Sequence, residues 1–385
     1  MSRLRIAVIG TGTMGSQALW QLSQQDCDVV GYELYQPGHA RGAAAGENRV
    51  FNFIELEDLR VLPMTDRADQ LYRRLEEDSG VELRDLQGVL AIGEESAEPT
   101  QIALETARKY PDRFQVLSNA ETRAKYPKFN IHDNEIAIFD KEGGIIFPDR
   151  TIQAASALAV ENGAILHTEA RVASIEQRDG KVYVTNTDQE VETFDRVVVA
   201  AGAWTGQLLP SMDKYFAMRR LISTWFRPKF RETMEGLPAY VRTEPNYSYG
   251  LPSPDGTALK VGLGFKNHLA IASPDSSEYT LSDADLLPLR NLVRDLFPSL
   301  GDYPSRFTVC HESYTKSRIE WVQPHPEMSN VLVMAGFSGK GFKNSPALGE
   351  IGARWALGLP TEPHAEFLFE LDHLPFEETE AVAQG

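Results

Sequence analysis

Three glycines near the start of the chain, Gly10, Gly12 and Gly15, are spaced as Gly-x-Gly-x-x-Gly, with Thr11, Thr13 and Met14 between them. Each removes a side chain where one would obstruct. Gly10 permits a tight turn, Gly12 lets a pyrophosphate approach the backbone, and Gly15 lets a helix pack close to the strand before it. The helix start around Thr13 and Met14 offers free amide N–H groups and a positive dipole end to phosphate oxygens. Glu33 lies 18 residues beyond Gly15. An acid there can accept a hydrogen bond from a ribose hydroxyl and disfavours a 2′-phosphate. Together these residues point to dinucleotide binding; alone, the glycines would serve equally as a turn without a ligand.

The surrounding elements suit that chemistry. Ile6, Ala7, Val8 and Ile9 form a short apolar run, as in a buried parallel strand. Residues 17–25 carry Ala18, Leu19 and Leu22 at helical spacing, and residues 29–33 read as a second strand ending in Glu33. This is a βαβ unit. Helices are expected over residues 63–77, 103–110, 120–126, 150–162 and 347–357, and strands over 88–93, 172–175, 182–185, 196–201 and 331–336. Residues 281–296 also read as a helix, which Pro288 should kink or divide. After Arg354 there is no Lys or Arg, and the acids that follow read as a solvated tail.

Three later features favour FAD over NAD. Arg41 and Gly42, followed by Gly46, Glu47, Asn48 and Arg49, make a small-residue loop with basic groups beyond the second strand. The apolar strand from Val197 ends in Ala201, Gly202, Ala203 and Trp204. Gly336, Phe337, Ser338, Gly339, Lys340, Gly341, Phe342 and Lys343 form a second glycine-rich loop at the far end of the chain. One extended cofactor touched from both ends of the chain explains all three.

Composition limits the alternatives. The chain has 385 residues, long enough for two or three folding units with a large core. Its formal net charge is −17, which disfavours nucleic-acid and membrane-surface partners. Only Cys27 and Cys310 are present, with no disulfide framework and no metal-ligand spacing, as expected in a reducing cytoplasm. Residues 6–25 lack charge and follow Arg3 and Arg5, but the apolar run is too short and interrupted for a secretory signal.

In order along the chain, Gly10 to Gly15, Gly46-x-x-Arg49, Gly88-Val89-Leu90, Ala201-Gly202-Ala203-Trp204, Tyr249-Gly250-Leu251-Pro252, Leu259-Lys260-Val261-Gly262, Val309-Cys310 and the 336–343 loop resemble the monomeric sarcosine oxidase and N-methyltryptophan oxidase family of D-amino-acid-oxidase-like flavoproteins. The resemblance implies an α/β fold: a Rossmann-like FAD-binding domain with an inserted α+β substrate domain containing an antiparallel sheet. The FAD domain is expected to be discontinuous, over residues 1–85, 141–215 and 306–385, with residues 86–140 and 216–305 forming the substrate domain. It further implies a monomer that oxidises a secondary or N-substituted amine, an amino acid among them, to an imine while O2 becomes hydrogen peroxide. An amine dehydrogenase with another acceptor and a fructosyl-amino-acid-oxidase-like deglycating enzyme are the alternatives.

Roles follow by the same resemblance. Cys310 is the candidate covalent attachment point of FAD; on its own it reads as a small buried hydrophobe. Lys260 activates oxygen over the flavin; on its own it reads as a snorkelling strand residue. Arg49 lies against the flavin ring, Tyr249 walls the substrate site, and Lys343 holds the substrate carboxylate. Gly10, Gly12, Thr13, Met14, Gly15, Glu33, Arg41, Val172, Gly202, Trp204, Gly336, Ser338, Gly339, Gly341 and Phe342 complete the expected cofactor contacts. Cys27 reads as structural. Five positions depart from sarcosine oxidases. Asn52 replaces a second arginine, Gly264 replaces a histidine, and Ala43, Ala44 and Ala45 stand where histidines are common. The Tyr314-Thr315-Lys316 element is displaced, and the spacing from Cys310 to Thr315 and Arg318 resembles fructosyl-amino-acid oxidases instead.

Overall fold

Apolar runs too short for helices and bounded by glycine build the first sheet. The computed structural model describes residues 3–377 apart from residues 231, 245 and 277. Leu4–Ile9 lies at the centre of a six-stranded sheet, parallel to Cys27–Tyr32 on one side and Arg196–Val199 on the other. Ile165–His167 extends one edge. Val331–Ala335 extends the other, and the antiparallel Trp321–Pro324 closes it. Strands buried on both faces carry Ile, Val and Ala at successive positions, as a covered parallel sheet requires. The helices Thr13–Ser23, Leu62–Ser79, Pro148–Glu161 and Ser345–Ala356 bury one face. A three-stranded antiparallel sheet of Val172–Arg178, Lys181–Asn186 and Val191–Phe194 covers the other.

The second large sheet has nine strands. It is antiparallel except that Ala239–Arg242 runs parallel to Val89–Glu94. The amphipathic helix Asp283–Leu296 packs Leu289, Val293 and Leu296 against it. Arg242 and Glu135 form a buried ion pair between its strands. The long strand Arg306–Tyr314 pairs along its length with Ala217–Phe226, with Cys310 opposite Leu221 and Glu312 opposite Arg219. Residues 306–314 thus belong to this sheet by hydrogen bonding, although they follow it in the expected domain division.

Two expectations are corrected. The helix Asp283–Leu296 runs through Pro288 without division. Ser282 and Asp285 form a capping box that secures its start. Pro288 removes only the bond to the carbonyl of Ala284, a residue exposed to water in the first turn. The tail after Arg354 is not wholly solvated. The short helix Glu366–Phe369 buries Leu368, and Gln323 donates to the carbonyls of Leu368 and Leu371. Residues 378–385 lie outside the described part. Among the described residues no helix is long and apolar enough to cross a membrane.

Candidate active site

One cavity of about 950 Å³ runs from the first glycine turn to the second. At its first end, Gly10 has φ of +82° and faces the backbone of Ala200 and Ala201. A side chain at Gly15 would collide with the Gly10 carbonyl oxygen. A side chain at Gly12 would meet no protein atom within 4 Å, so the space before it is open to a ligand. No side chain caps the helix that starts at Thr13, and its first turn holds no acid. Its amide N–H groups and dipole therefore face the cavity uncompensated, which fits a pyrophosphate. Glu33 is buried at the cavity edge and accepts from the N–H groups of Thr11 (2.9 Å) and Tyr35 (3.0 Å). Val172, Gly202 and Trp204 line the same end. Trp204 Nε1 donates to Asp275 at 2.9 Å.

At the other end the cavity is walled by Arg49, Tyr249, Cys310, Ser338, Gly339, Gly341, Phe342 and Lys343. The Arg49 guanidinium donates to the carbonyls of Ala43, Ala45 and Asn48. Among the described residues no carboxylate pairs with it, so its charge remains available to an anionic group. Cys310 is a buried free thiol whose pKa is pushed up to about 11 by burial, against the opposing Arg49 charge. Ser338 holds φ of +54°, an uncommon conformation for a serine, supported by its Oγ–H donating to the Gly336 carbonyl (3.0 Å).

Several expected site residues lie elsewhere. Lys260 does not line the cavity. It is fully buried behind the 46–49 turn, where Nζ donates to the Asn48 carbonyl at 2.6 Å, close to Gly46. Burial, followed by the Arg49 charge, holds its pKa well below the ordinary lysine value. Arg41 is exposed, stacks over the Tyr35 ring at 4.9 Å, and borders a separate cavity of about 320 Å³. Gly15 and Gly336 support turns and do not line the main cavity. Lys343 does line it, with donors already engaged by Glu55 Oε1 (2.7 Å) and by the carbonyl (3.2 Å) and Oδ1 (3.4 Å) of Asn52.

Beyond Glu33, the sequence reading missed the cavity's carboxylates. Burial raises the pKa of Glu55, and Lys343 opposes that rise. Burial also works to raise Glu57, but Lys340 and Arg318 outweigh it and hold the carboxyl below its usual range. Glu312 follows Cys310 by two positions on one strand, so both face the cavity. Burial pushes Glu312 up to about 7, although the Gly339 N–H at 2.7 Å favours its charged form. No motif marks these acids. Their neighbours come from distant chain segments, and only the alternation of residues 310 and 312 was visible beforehand.

The model of the DAO family, FAD dependent oxidoreductase, matches residues 5–355. The chain belongs to this family. The oxidoreductase is 30% identical over 372 residues to a monomeric sarcosine oxidase of Streptomyces avermitilis, covering 95% of this chain and 96% of that one. It is 26% identical over 359 residues to an N-methyl-L-tryptophan oxidase of Yersinia pestis, covering 92% and 95% respectively. Its fold matches that of NikD, an amino acid oxidase of nikkomycin biosynthesis, with a TM-score of 0.82 at 19% identity, covering 98% of this chain and 100% of that one. The open cradle at Gly12 and the uncapped helix start are the parts of this FAD-dependent oxidoreductase that fit the dinucleotide.

Proposed function

We propose that the protein is an FAD-dependent oxidase of secondary or N-substituted amines, amino acids among them. The observation that carries this reading is the single cavity joining the uncapped glycine turn to Arg49, Tyr249, Cys310 and Lys343. FAD held there would supply the redox chemistry, a two-electron oxidation of the amine to an imine with O2 reduced to hydrogen peroxide. The named sarcosine and N-methyltryptophan oxidases support the substrate class.

The chain's own groups bind and orient. Gly10, Gly12, Thr13, Met14 and the dipole of their helix hold the pyrophosphate, and Glu33 holds the ribose. Val172, Gly202, Trp204 and the 336–343 loop hold the rest. Arg49 sets a fixed positive charge against the ring, which favours negative charge developing there. Lys260 stands behind the 46–49 turn as a second basic group, for the oxygen step. Tyr249 walls the substrate, and Lys343 attracts its carboxylate while remaining hydrogen-bonded to Asn52. Cys310 attaches the flavin covalently, its thiol already inside the cavity.

Residues 1–85, 141–215 and 306–385 form the FAD domain, and residues 86–140 and 216–305 the substrate domain. Strand Arg306–Tyr314 hydrogen-bonds to the substrate domain's sheet and carries Cys310 between them. The protein acts as a cytoplasmic monomer, with its two cysteines free and buried. Oxygen uptake and peroxide release on N-methyl, cyclic and glycated amino acids test the reading. Peroxide from one of these classes supports it. Turnover only with an artificial electron acceptor would assign a dehydrogenase.

A further inference from the structure

An amine oxidase meets its substrate in the wrong protonation state, because an alkylammonium keeps its proton to about pH 10. An ammonium has no lone pair to support loss of hydride from the neighbouring carbon. Some group in the cavity must take that proton. We propose that Glu312 takes the proton from the substrate ammonium and so prepares the neutral amine for oxidation. This rests on the amine-oxidase reading above.

Three other cavity carboxylates are committed. Glu55 is paired with Lys343, and Glu57 with Arg318 and Lys340. Glu33 is held by backbone amides at the dinucleotide end. Glu98, Glu244 and Glu320 also line the cavity, and burial raises the pKa of Glu320 as well, but all three lie off the strand that carries Cys310. Glu312 has no ion-pair partner among the described residues, and it sits two positions from the proposed flavin anchor on the same strand face.

Donor and acceptor accounting shows where the proton goes. His268 Nε2 lies 2.9 Å from the Leu263 carbonyl, which can only accept, so this nitrogen carries the hydrogen. Burial keeps His268 neutral, lowering its pKa to about 4, so Nδ1 is an acceptor. Tyr314 O–H at 2.9 Å therefore donates to Nδ1. The Tyr314 oxygen then offers a lone pair towards Glu312 Oε2, 3.4 Å away, while Gly339 N–H donates to Oε1. That environment completes its hydrogen bonding when Oε2 carries a proton. In the step, the substrate N–H bond breaks and an O–H bond forms on Oε2. No atom changes oxidation state, and a buried charge pair becomes two neutral groups. The titratable and charged groups around Glu312 are Arg49, Tyr249, Cys310 and Tyr314, with Arg219 opposite in the strand pairing and engaged with the His268 carbonyl.

Glu312→Gln preserves the acceptor for Gly339 and supplies a donor for Tyr314. Anaerobic stopped-flow reduction of the holoenzyme by an N-methyl amino acid is followed from pH 6 to 10. Wild type should lose kred/Kd as pH falls through about 7, where Glu312 becomes protonated. Glu312→Gln should lose that step, react about 10²-fold more slowly at pH 7, and recover only as the substrate amine itself deprotonates. Glu312→Asp should regain a titrating step. Difference infrared spectra provide a readout independent of turnover: a carboxylic-acid carbonyl band titrating near pH 7 in wild type and missing in Glu312→Gln. A Glu312→Gln profile identical to wild type would overturn the assignment. A wild-type flavin that no amine reduces would instead overturn the amine-oxidase reading, and the assignment with it.

Discussion

Arg49, Lys260 and Lys343 are three basic residues around one cavity, and their surroundings separate their work. Arg49 is held only by carbonyls, so its charge acts outward. Lys343 is neutralised by Glu55, so its pull on a carboxylate is weaker than a free lysine's. Lys343→Ala should weaken binding of carboxylate-bearing amines about 10-fold, read from spectral titration of the holoenzyme. Unchanged affinity would remove Lys343 from the substrate site. Lys260 lies behind the wall, so its effect is a field rather than a contact. Lys260→Met should slow reoxidation of the reduced enzyme by O2 roughly 10²-fold while leaving reduction by amine much less affected. Equal slowing of both half-reactions would contradict its role. Cys310→Ser should release yellow cofactor into the supernatant on acid precipitation, whereas wild-type colour stays in the pellet; a colourless wild-type pellet would exclude the covalent bond.

At the scale of elements, the glycine turn was legible because its geometry is local. Gly10, Gly12 and Gly15 position one strand end and one helix start, and the sequence separation among them is the structure. Gly15→Ala must push the helix Thr13–Ser23 away from the Gly10 carbonyl, costing about 1–3 kcal/mol and weakening FAD binding. Thermal unfolding and FAD titration check both effects. The helix through Pro288 was misread because the proline's cost depends on what its missing N–H would have bonded. That carbonyl belongs to Ala284, an exposed residue, and loses little. The Glu312–Tyr314–His268 chain was illegible for a different reason. It joins strand Arg306–Tyr314 to His268, which follows the turn Phe265–Asn267, and to the 336–343 loop, and no pattern within one segment reports such a meeting.

Across the whole molecule, both sheets contribute to one cavity, and the second must hold its shape for Tyr249, Cys310 and Glu312 to converge. Arg242 helps fix it. Its Nε donates to Glu135 Oε1 at 2.6 Å and its Nη1 to the Asn130 carbonyl at 3.1 Å, with both partners of the ion pair only 1% exposed. Glu135→Gln leaves a buried guanidinium without its counter-charge and should cost about 3–5 kcal/mol, visible as a lower urea midpoint. A midpoint equal to wild type would show that the pair is dispensable. The cavity itself makes the central claim: a dinucleotide cradle at one end, and amine chemistry at the other. Anaerobic addition of N-methyl, cyclic and glycated amino acids to the holoenzyme tests it most directly. One of them should bleach the oxidised flavin absorbance, and air should restore it with release of peroxide. An oxidised spectrum that none of these amines bleaches would contradict the account.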